Sequence, residues 1–190
     1  MIKLIAIVAS TGGVEALEQI ATTLPANIPP TLFLIHMPAP LTNVFALRLN
    51  MMYKGSVAEA KTGDTLQNGK ILVAPGGKHM QLVNTFGKLS VNCFAGERVN
   101  FVIPSADVLF ESIATVMPND TLGVILTGIG NDGATGLKLM RDKGARTIGQ
   151  DEASSVVYGM PKVAYNQGAI EFQLPLDLIS RKIMDICKIF

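Results

Sequence analysis

The feature that most constrains the fold is a repeated change from a short apolar run to a polar residue. The first run, residues 3–9, leads directly into Ser10 and then into a Gly-rich turn and a helix-patterned stretch. A short apolar run bounded by turn residues is typical of a buried strand. A strand-to-helix corner holds its side chain at the edge of a sheet, next to the unpaired N–H groups of a helix N-terminus. The pattern therefore places the Ser10 hydroxyl where an anion can be stabilised.

Two more runs end in polar residues with complementary chemistry. Residues 121–127 read as a buried strand and lead into a Gly-rich corner that contains Asp132, while residues 31–35 end directly in His36. In an open parallel sheet, the loops at the carboxyl ends of the strands share one edge, and ligands bind there. We therefore expect Ser10, His36 and Asp132 to meet at that edge.

This combination is the one required for acyl transfer. A hydroxyl attacks, an imidazole accepts its proton, and a carboxylate fixes the imidazole tautomer and stabilises its cation. The chain order here is Ser, His, Asp. The nucleophile-elbow motif of the α/β-hydrolases, with its order Ser, Asp, His, therefore does not apply.

The alternation of strand and helix patterns predicts an α/β fold: a doubly wound, mostly parallel sheet with helices on both faces. Helices are expected at residues 14–24, 134–143 and 176–190, and at 105–117 with Ser105 as the N-cap. Residues 56–94 contain short segments separated by turn residues, which predicts a β-hairpin region at one edge of the sheet.

Composition excludes several classes of protein. With 190 residues, of which 48% are hydrophobic and 16% charged, the chain is expected to form a single domain over residues 1–190. A net charge of +1 gives no support for nucleic-acid binding. No secretory signal or membrane span is recognisable. Cys93 and Cys187 have no disulfide or zinc spacing, so we expect a reduced, cytoplasmic protein.

Several short motifs point in the same direction. In chain order, they and the polar corners occupy residues 9–13, 36–38, 74–80, 104–110, 126–134, 150–154 and 159–161. Together they resemble the catalytic domain of the chemotaxis receptor methylesterase family, CheB, over nearly the whole chain. Each motif is weak by itself, but their shared order is specific.

The resemblance implies a role for each residue at the corners. Ser10 is expected to be the nucleophile, His36 the general base and then acid, and Asp132 the residue that orients His36. The backbone N–H groups of Thr11 and Ile129 are expected to form the oxyanion hole. Eight further residues are expected to shape the site: Gly12, Gly13, Met37, Gly128, Gly130, Asn131, Gly133 and Met160.

The implied reaction is hydrolysis of glutamate methyl esters on the cytoplasmic methylation helices of chemoreceptors, with deamidation of receptor glutamines as a second activity. The resemblance implies no metal or organic cofactor and no insertion into the membrane. Family members typically carry a receiver domain before the catalytic domain. Because the sequence starts at the first strand, we expect constitutive activity, a receiver domain acting in trans, or a longer chain of which this is a part.

One departure from the family concerns substrate binding. Members commonly have an arginine-rich stretch before the helix that starts with Pro-Ser, whereas here residues 101–103 are Phe, Val and Ile. Arginine is suited to bidentate recognition of carboxylates. Its loss here is therefore expected to weaken the binding of Glu-rich receptor helices.

Four alternatives remain open from the sequence. Ser10, Thr11 and Asp132 are residue types that cap helices or form turns, and His79 is a second candidate for the base. At the level of function, the alternatives are a non-catalytic relative that binds a receptor or partner, and a nucleotide or phosphate binder. The last lacks both a P-loop and a clean dinucleotide-binding fingerprint.

Overall fold

The computed structural model describes residues 1–189. A seven-stranded sheet forms its centre, and every neighbouring pair of strands in this sheet runs parallel. The strand order is β3-β4-β2-β1-β7-β8-β9. These strands are β1 Leu4–Ala9, β2 Thr31–Ile35, β3 Ser56–Glu59, β4 Lys70–Val73, β7 Thr121–Ile125, β8 Arg146–Gln150 and β9 Phe172–Leu174. The predicted parallel α/β sheet is confirmed.

The middle of the chain differs from the prediction in part. Only β5 (His79–Thr85) and β6 (Lys88–Phe94) form an antiparallel hairpin, and they make a separate two-stranded sheet. Phe86 and Gly87 connect them with φ values of 51° and 85°, the positive values that a tight two-residue hairpin turn requires. In contrast, β3 and β4 pair in parallel at the edge of the main sheet, so residues 56–73 are not a hairpin.

Six helices accompany the strands within residues 1–189. They are α1 Gly13–Thr23, α2 Leu41–Met52, α3 Ala106–Val116, α4 Ala134–Asp142, α5 Met160–Asn166 and α6 Leu176–Cys187. The four predicted helices are present with ends that differ from the prediction by at most three residues, and Ser105 is the N-cap of α3 as predicted. The predicted end of the last helix, Phe190, lies outside the described residues. None of the helices in residues 1–189 is long and apolar enough to cross a membrane.

The sheet separates two hydrophobic cores, because successive residues of a strand face opposite sides. In β1, Leu4, Ala6 and Val8 contribute to one core, and the residues between them contribute to the other. The first core is covered by α3, α4, α5 and the hairpin, and the second by α1, α2 and α6. All six β1 side chains are buried, which explains why the run is uniformly apolar.

The strand order also determines where a ligand can bind. From β1 the chain winds outward to β2 on one side, and it later returns to β7 on the other side of β1. Such a change of direction opens a crevice outside the carboxyl ends of the strands. The corners after β1, β2 and β7 border this crevice.

Candidate active site

Ser10 occupies the corner between β1 and α1. Its backbone N–H donates to the Thr127 carbonyl at 2.9 Å, and its carbonyl accepts from the Gly13 N–H at 2.7 Å. Gly12, with φ 78°, turns the chain into the helix and is the N-cap of α1. Ser10 is partly exposed at this corner.

His36 lies beside Ser10 on the neighbouring strand. The register pairs Ala9 with Ile35, so Ser10 and His36 each follow directly after a paired residue. The His36 N–H also donates to the Ala9 carbonyl at 3.3 Å. Since adjacent strands are about 4.8 Å apart, this register places Ser10 and His36 at neighbouring positions of the same edge.

Asp132 contacts the imidazole directly. The His36 Nε2 atom and Asp132 Oδ2 are 2.8 Å apart, with side-chain exposures of only 10% and 3%. A carboxylate can only accept, so we assign the proton to Nε2. This tautomer leaves Nδ1 with a free lone pair to receive the proton of a nucleophile.

The Asp132 carboxylate is held by the first turn of α3. It accepts from the Ala106 N–H at 2.6 Å, the Asp107 N–H at 3.3 Å, the Ser105 hydroxyl at 2.6 Å and the Asn100 amide at 2.9 Å. Helix N-termini stabilise negative charge through their unpaired N–H groups and the helix dipole. The motif at residues 104–110 therefore serves to hold the carboxylate.

These contacts keep Asp132 ionised. Burial alone would raise the pKa of Asp132, but the hydrogen bonds from His36, Ser105 and Asn100 outweigh it and hold the pKa below its usual range. A buried carboxylate that stays ionised can stabilise an imidazolium at its side. The His36–Asp132 pair is therefore suited to general base chemistry.

The two predicted oxyanion-hole donors lie close to Ser10 in the fold. Thr11 follows Ser10 directly, and Ile129 follows Gly128, whose N–H donates to the Val157 carbonyl at 3.0 Å. Among residues 1–189, the N–H groups of Thr11 and Ile129 donate to no protein backbone oxygen. Both remain available for an oxyanion, although their role stays a prediction.

Two glycines around Ser10 are required by close contacts. A Cβ atom at Gly128 would lie 2.3 Å from Met160 Sδ and 2.8 Å from Ser10 Cβ. A Cβ atom at Gly12 would lie 2.6 Å from Val156 Cβ. Distances this short are not tolerated between side chains, so Gly12 and Gly128 must remain without a Cβ atom next to Ser10 and Met160.

The other predicted site-shaping residues have different positions. Gly13 begins α1, and a Cβ atom there would lie 2.6 Å from Ala9 Cβ. Gly130 and Gly133 both have φ 91°, so they provide the backbone turn that leads to α4. Asn131 is exposed, and its carbonyl accepts from the Ala134 N–H at 3.2 Å.

The comparison with known proteins identifies the family. The sequence profile described as CheB methylesterase matches residues 5–183 of the chain. The chain belongs to the CheB methylesterase family. The solved catalytic domain of the Thermotoga maritima CheB methylesterase superimposes with a TM-score of 0.94 and 32% sequence identity, covering 98% of this chain and 99% of that chain.

Curated relatives agree with this assignment. The chain is 46% identical over 184 residues to a protein-glutamate methylesterase/protein-glutamine glutaminase of Syntrophotalea carbinolica, and 50% identical over 187 residues to one of Agrobacterium fabrum. Each alignment covers 97% of this chain and 52% of the relative. The chain thus spans about half the length of these CheB relatives.

The capping alternatives are wrong for both corners of this CheB domain. Among the described residues, no side chain caps α1 or α4, whose N-caps are Gly12 and Gly133. Ser10 and Thr11 therefore do not serve as helix caps. Asp132 accepts hydrogen bonds at the N-terminus of α3 instead of α4.

Backbone groups hold both ring nitrogens of His79, the second candidate for the base. Its Nδ1 atom accepts from the Ser105 N–H at 3.1 Å, so its Nε2 atom carries the proton and donates to the Glu97 carbonyl at 2.8 Å. The residue is 2% exposed. With both nitrogens engaged by the backbone, His79 supports the loop that leads to α3.

A cavity of about 220 Å³ opens beside His36. Met37, a predicted site residue, lines it together with Arg98, which sequence analysis did not identify. The Arg98 guanidinium donates to the Phe101 carbonyl at 3.1 Å. The CheB family's arginine-rich stretch is absent from residues 101–103, but one cation therefore still borders the site.

The sequence analysis also missed three polar supports of the site. Thr127 Oγ1 donates to the Thr11 carbonyl at 2.9 Å and accepts from the Val157 N–H at 3.0 Å. These bonds join the turn after Ser10 to the loop before α5. Gln150 accepts from the Thr127 N–H at 2.8 Å. The Asn100 amide reaches Asp132 from a loop that has no distinctive motif.

Proposed function

We propose that this domain is a serine esterase that hydrolyses glutamate methyl esters on chemoreceptors, with Ser10, His36 and Asp132 as its catalytic triad. The observation that carries the proposal is the 2.8 Å contact between His36 Nε2 and Asp132 Oδ2, next to the strand register that aligns Ser10 with His36. The relatives named protein-glutamate methylesterase support the substrate.

The proposed reaction begins with attack of Ser10 Oγ on the ester carbonyl carbon while His36 Nδ1 takes the hydroxyl proton. The imidazolium keeps its Nε2–H on Asp132, and the N–H groups of Thr11 and Ile129 stabilise the tetrahedral oxyanion. The Nδ1–H then protonates the departing methoxide, which leaves as methanol. An acyl-enzyme on Ser10 remains.

Water completes the cycle by the same steps in reverse order. His36 Nδ1 removes a proton from the water, whose oxygen attacks the acyl carbon, and the proton returns to Ser10 Oγ as the glutamate carboxylate is released. A glutamine side chain would follow the same route with ammonia as the leaving group. The name glutaminase, which the relatives also carry, supports deamidation as a second activity.

We also propose that Arg98 contacts the acidic receptor segment that surrounds the ester. It borders the cavity next to His36, and chemoreceptor methylation segments are expected to be rich in glutamate. Residues 1–190 would then act as one catalytic domain in the cytoplasm, where receptor methylation segments lie. The free thiols of Cys93 and Cys187 are consistent with a reducing compartment.

The deciding experiment measures methanol release from methylated chemoreceptor membranes. Ser10→Ala and His36→Ala are assayed beside the wild type after circular dichroism has shown that both are folded. Turnover that both substitutions abolish supports the triad. Methanol release that persists in folded Ser10→Ala contradicts the proposed nucleophile, and a folded wild type without turnover favours the binding-only alternative.

A further inference from the structure

A single amide group joins two buried carboxylates next to the catalytic pair. Asn100 Nδ2 donates to Asp107 Oδ2 at 2.7 Å and to Asp132 Oδ1 at 2.9 Å. An amide nitrogen carries two hydrogens, so each carboxylate receives one of them. Asp107 and Asp132 are only 6% and 2% exposed. The amide therefore lies between two groups that water does not screen.

The backbone conformation at this amide is unusual. Asn100 and Phe101 have φ values of 51° and 67°, in a turn closed by hydrogen bonds of 3.1 and 3.0 Å between Val99 and Val102. Asparagine tolerates the left-handed region better than most residues, whereas a phenylalanine there is strained. Such strain concentrates at functional sites, where the surrounding structure holds it in place.

We propose that Asn100 is a positioning residue for the triad: its amide fixes the orientation of the Asp132 carboxylate toward His36 and offsets the negative charge that Asp107 adds beside it. This inference rests on the proposed function, because it concerns how the triad works. Asn100 itself contacts the carboxylate and not the reacting atoms.

The carboxylate of Asp107 is the negative charge that the Asn100 amide has to offset. Its Oδ1 atom accepts from the Gly136 N–H at 2.7 Å, so the carboxylate is fixed between α3 and α4 and cannot turn away. Burial raises the pKa of Asp107, and the nearby charge of Asp132 raises it further. Like charges in a buried site disfavour each other unless a donor lies between them. Asn100 is that donor.

The proposal makes a definite statement about pH dependence. If the amide is removed, both carboxylates lose a hydrogen-bond donor that partly neutralises their negative charge. The more negative site then stabilises a protonated imidazole more strongly. The rate of any step that needs the base is then expected to rise only at higher pH. The titratable and charged groups that surround the amide are Asp107 and Glu111 on α3, His79 on β5, His36 after β2, Asp132 after β7 and Arg98 in its own loop.

Two glycine substitutions in the same turn distinguish the effect of the Asn100 amide from the effect of the backbone conformation. Asn100→Gly keeps a residue that accepts a positive φ but deletes the amide, whereas Phe101→Gly keeps the amide and relieves the strain. The rate at which a fluorophosphonate probe labels Ser10 is measured against pH for the purified wild-type chain and both variants. This probe needs no methyl ester.

We expect Asn100→Gly to slow labelling at neutral pH by about tenfold and to move the acid limb of the pH–rate profile upward by about half a pH unit. Phe101→Gly should leave both unchanged. Asp107→Asn, introduced into Asn100→Gly, should move the acid limb part of the way back because it removes the second charge. An unchanged profile in Asn100→Gly, or an equal shift in Phe101→Gly, would overturn the proposal.

Nuclear magnetic resonance of the imidazole nitrogens gives a second measurement that does not depend on turnover. The chain has two histidines, so the spectra can be assigned directly. We expect the Nε2–H signal of His36 to shift in Asn100→Gly and to keep its wild-type position in Phe101→Gly. An unshifted His36 signal would contradict the positioning role. Normal labelling of the wild type without methanol release would instead refute only the proposed substrate.

Discussion

The Ser105 hydroxyl donates its hydrogen to Asp132 Oδ1 across 2.6 Å, and its oxygen accepts from the Val108 N–H at 3.5 Å. Because a hydroxyl both donates and accepts, the same group caps α3 and holds the carboxylate. The start of the helix and the orientation of the Asp132 carboxylate therefore depend on one side chain.

We expect Ser105→Ala to destabilise the fold by about 1 to 2 kcal/mol, since it removes both the cap and a hydrogen bond to a charged group. It should also lower kcat about tenfold, because Asp132 loses one of the donors that orient it. Denaturant unfolding and ester turnover measure the two effects.

Ser112→Ala is the matched control on the same helix. Ser112 Oγ accepts from the Leu82 N–H at 2.8 Å and donates to the Leu109 carbonyl at 2.7 Å, so its loss should also destabilise the fold. Its kcat should remain at the wild-type value. An equal loss of kcat in both variants would show that helix stability, and not the contact with Asp132, limits turnover.

The ionisation of Asp132 should be visible in stability against pH. Because folding lowers the pKa of Asp132, its stabilising effect is complete above the unfolded-chain pKa of about 4 and is lost as the pH falls through the lower folded pKa. We therefore expect the free energies of unfolding of wild type and Asp132→Asn to differ most above about pH 4 and to converge below it. A difference that stays constant across this range would contradict the lowered pKa.

Strand register explains why the sequence could place Ser10 and His36 at one edge of the sheet. Uniformly apolar runs mark buried parallel strands, and a residue that ends such a run can only lie at the carboxyl edge. Ser10 and His36 follow a paired position of neighbouring strands, so no further packing information was needed to bring them together.

The residues that hold the Asp132 carboxylate were not predictable in this way. Asn100 reaches Asp132 from an irregular loop, and Asp107 faces Asp132 only because α3 packs against α4. Such contacts depend on tertiary packing, which local patterns do not encode. The parallel pairing of β3 and β4 was missed for the same reason, because it joins strands separated by a loop and leaves no hairpin signal.

Helix α2 was missed because its apolar residues do not form one stripe. Phe45 and Leu49 are buried, whereas Val44, Leu47 and Met51 are exposed on the opposite side. Helix prediction from sequence relies on apolar residues that recur on a single face. Apolar residues on both faces remove that signal.

Gly128 should be essential for turnover. A Cβ atom there would lie 2.3 Å from Met160 Sδ and 2.8 Å from Ser10 Cβ, so Gly128→Ala must displace both side chains. We expect kcat to fall by about 100-fold, because small misplacements of a nucleophile are costly, and stability to fall by about 1 to 3 kcal/mol. The measurements are single-turnover kinetics and denaturant unfolding.

Met160→Ala in the Gly128→Ala background separates the two contacts. Removing the thioether should restore part of the lost stability, since the shorter of the two contacts disappears. The turnover defect should persist because the contact with Ser10 remains. Full recovery of kcat in the double variant would show that Met160, and not Ser10, is the residue that Gly128 accommodates.

Arg98 should contribute to receptor binding and not to chemistry. We expect Arg98→Ala to raise KM for methylated receptor about fivefold, with kcat unchanged and with a weaker dependence of KM on salt, because a cation next to His36 would attract acidic receptor segments. A small neutral methyl ester should show no change in KM. Arg146→Ala is the control: this arginine pairs with Glu171 at the start of β8, on the opposite edge of the sheet, and its loss should leave KM for receptor unchanged. A fall in kcat on the small ester would assign Arg98 to the catalytic machinery instead.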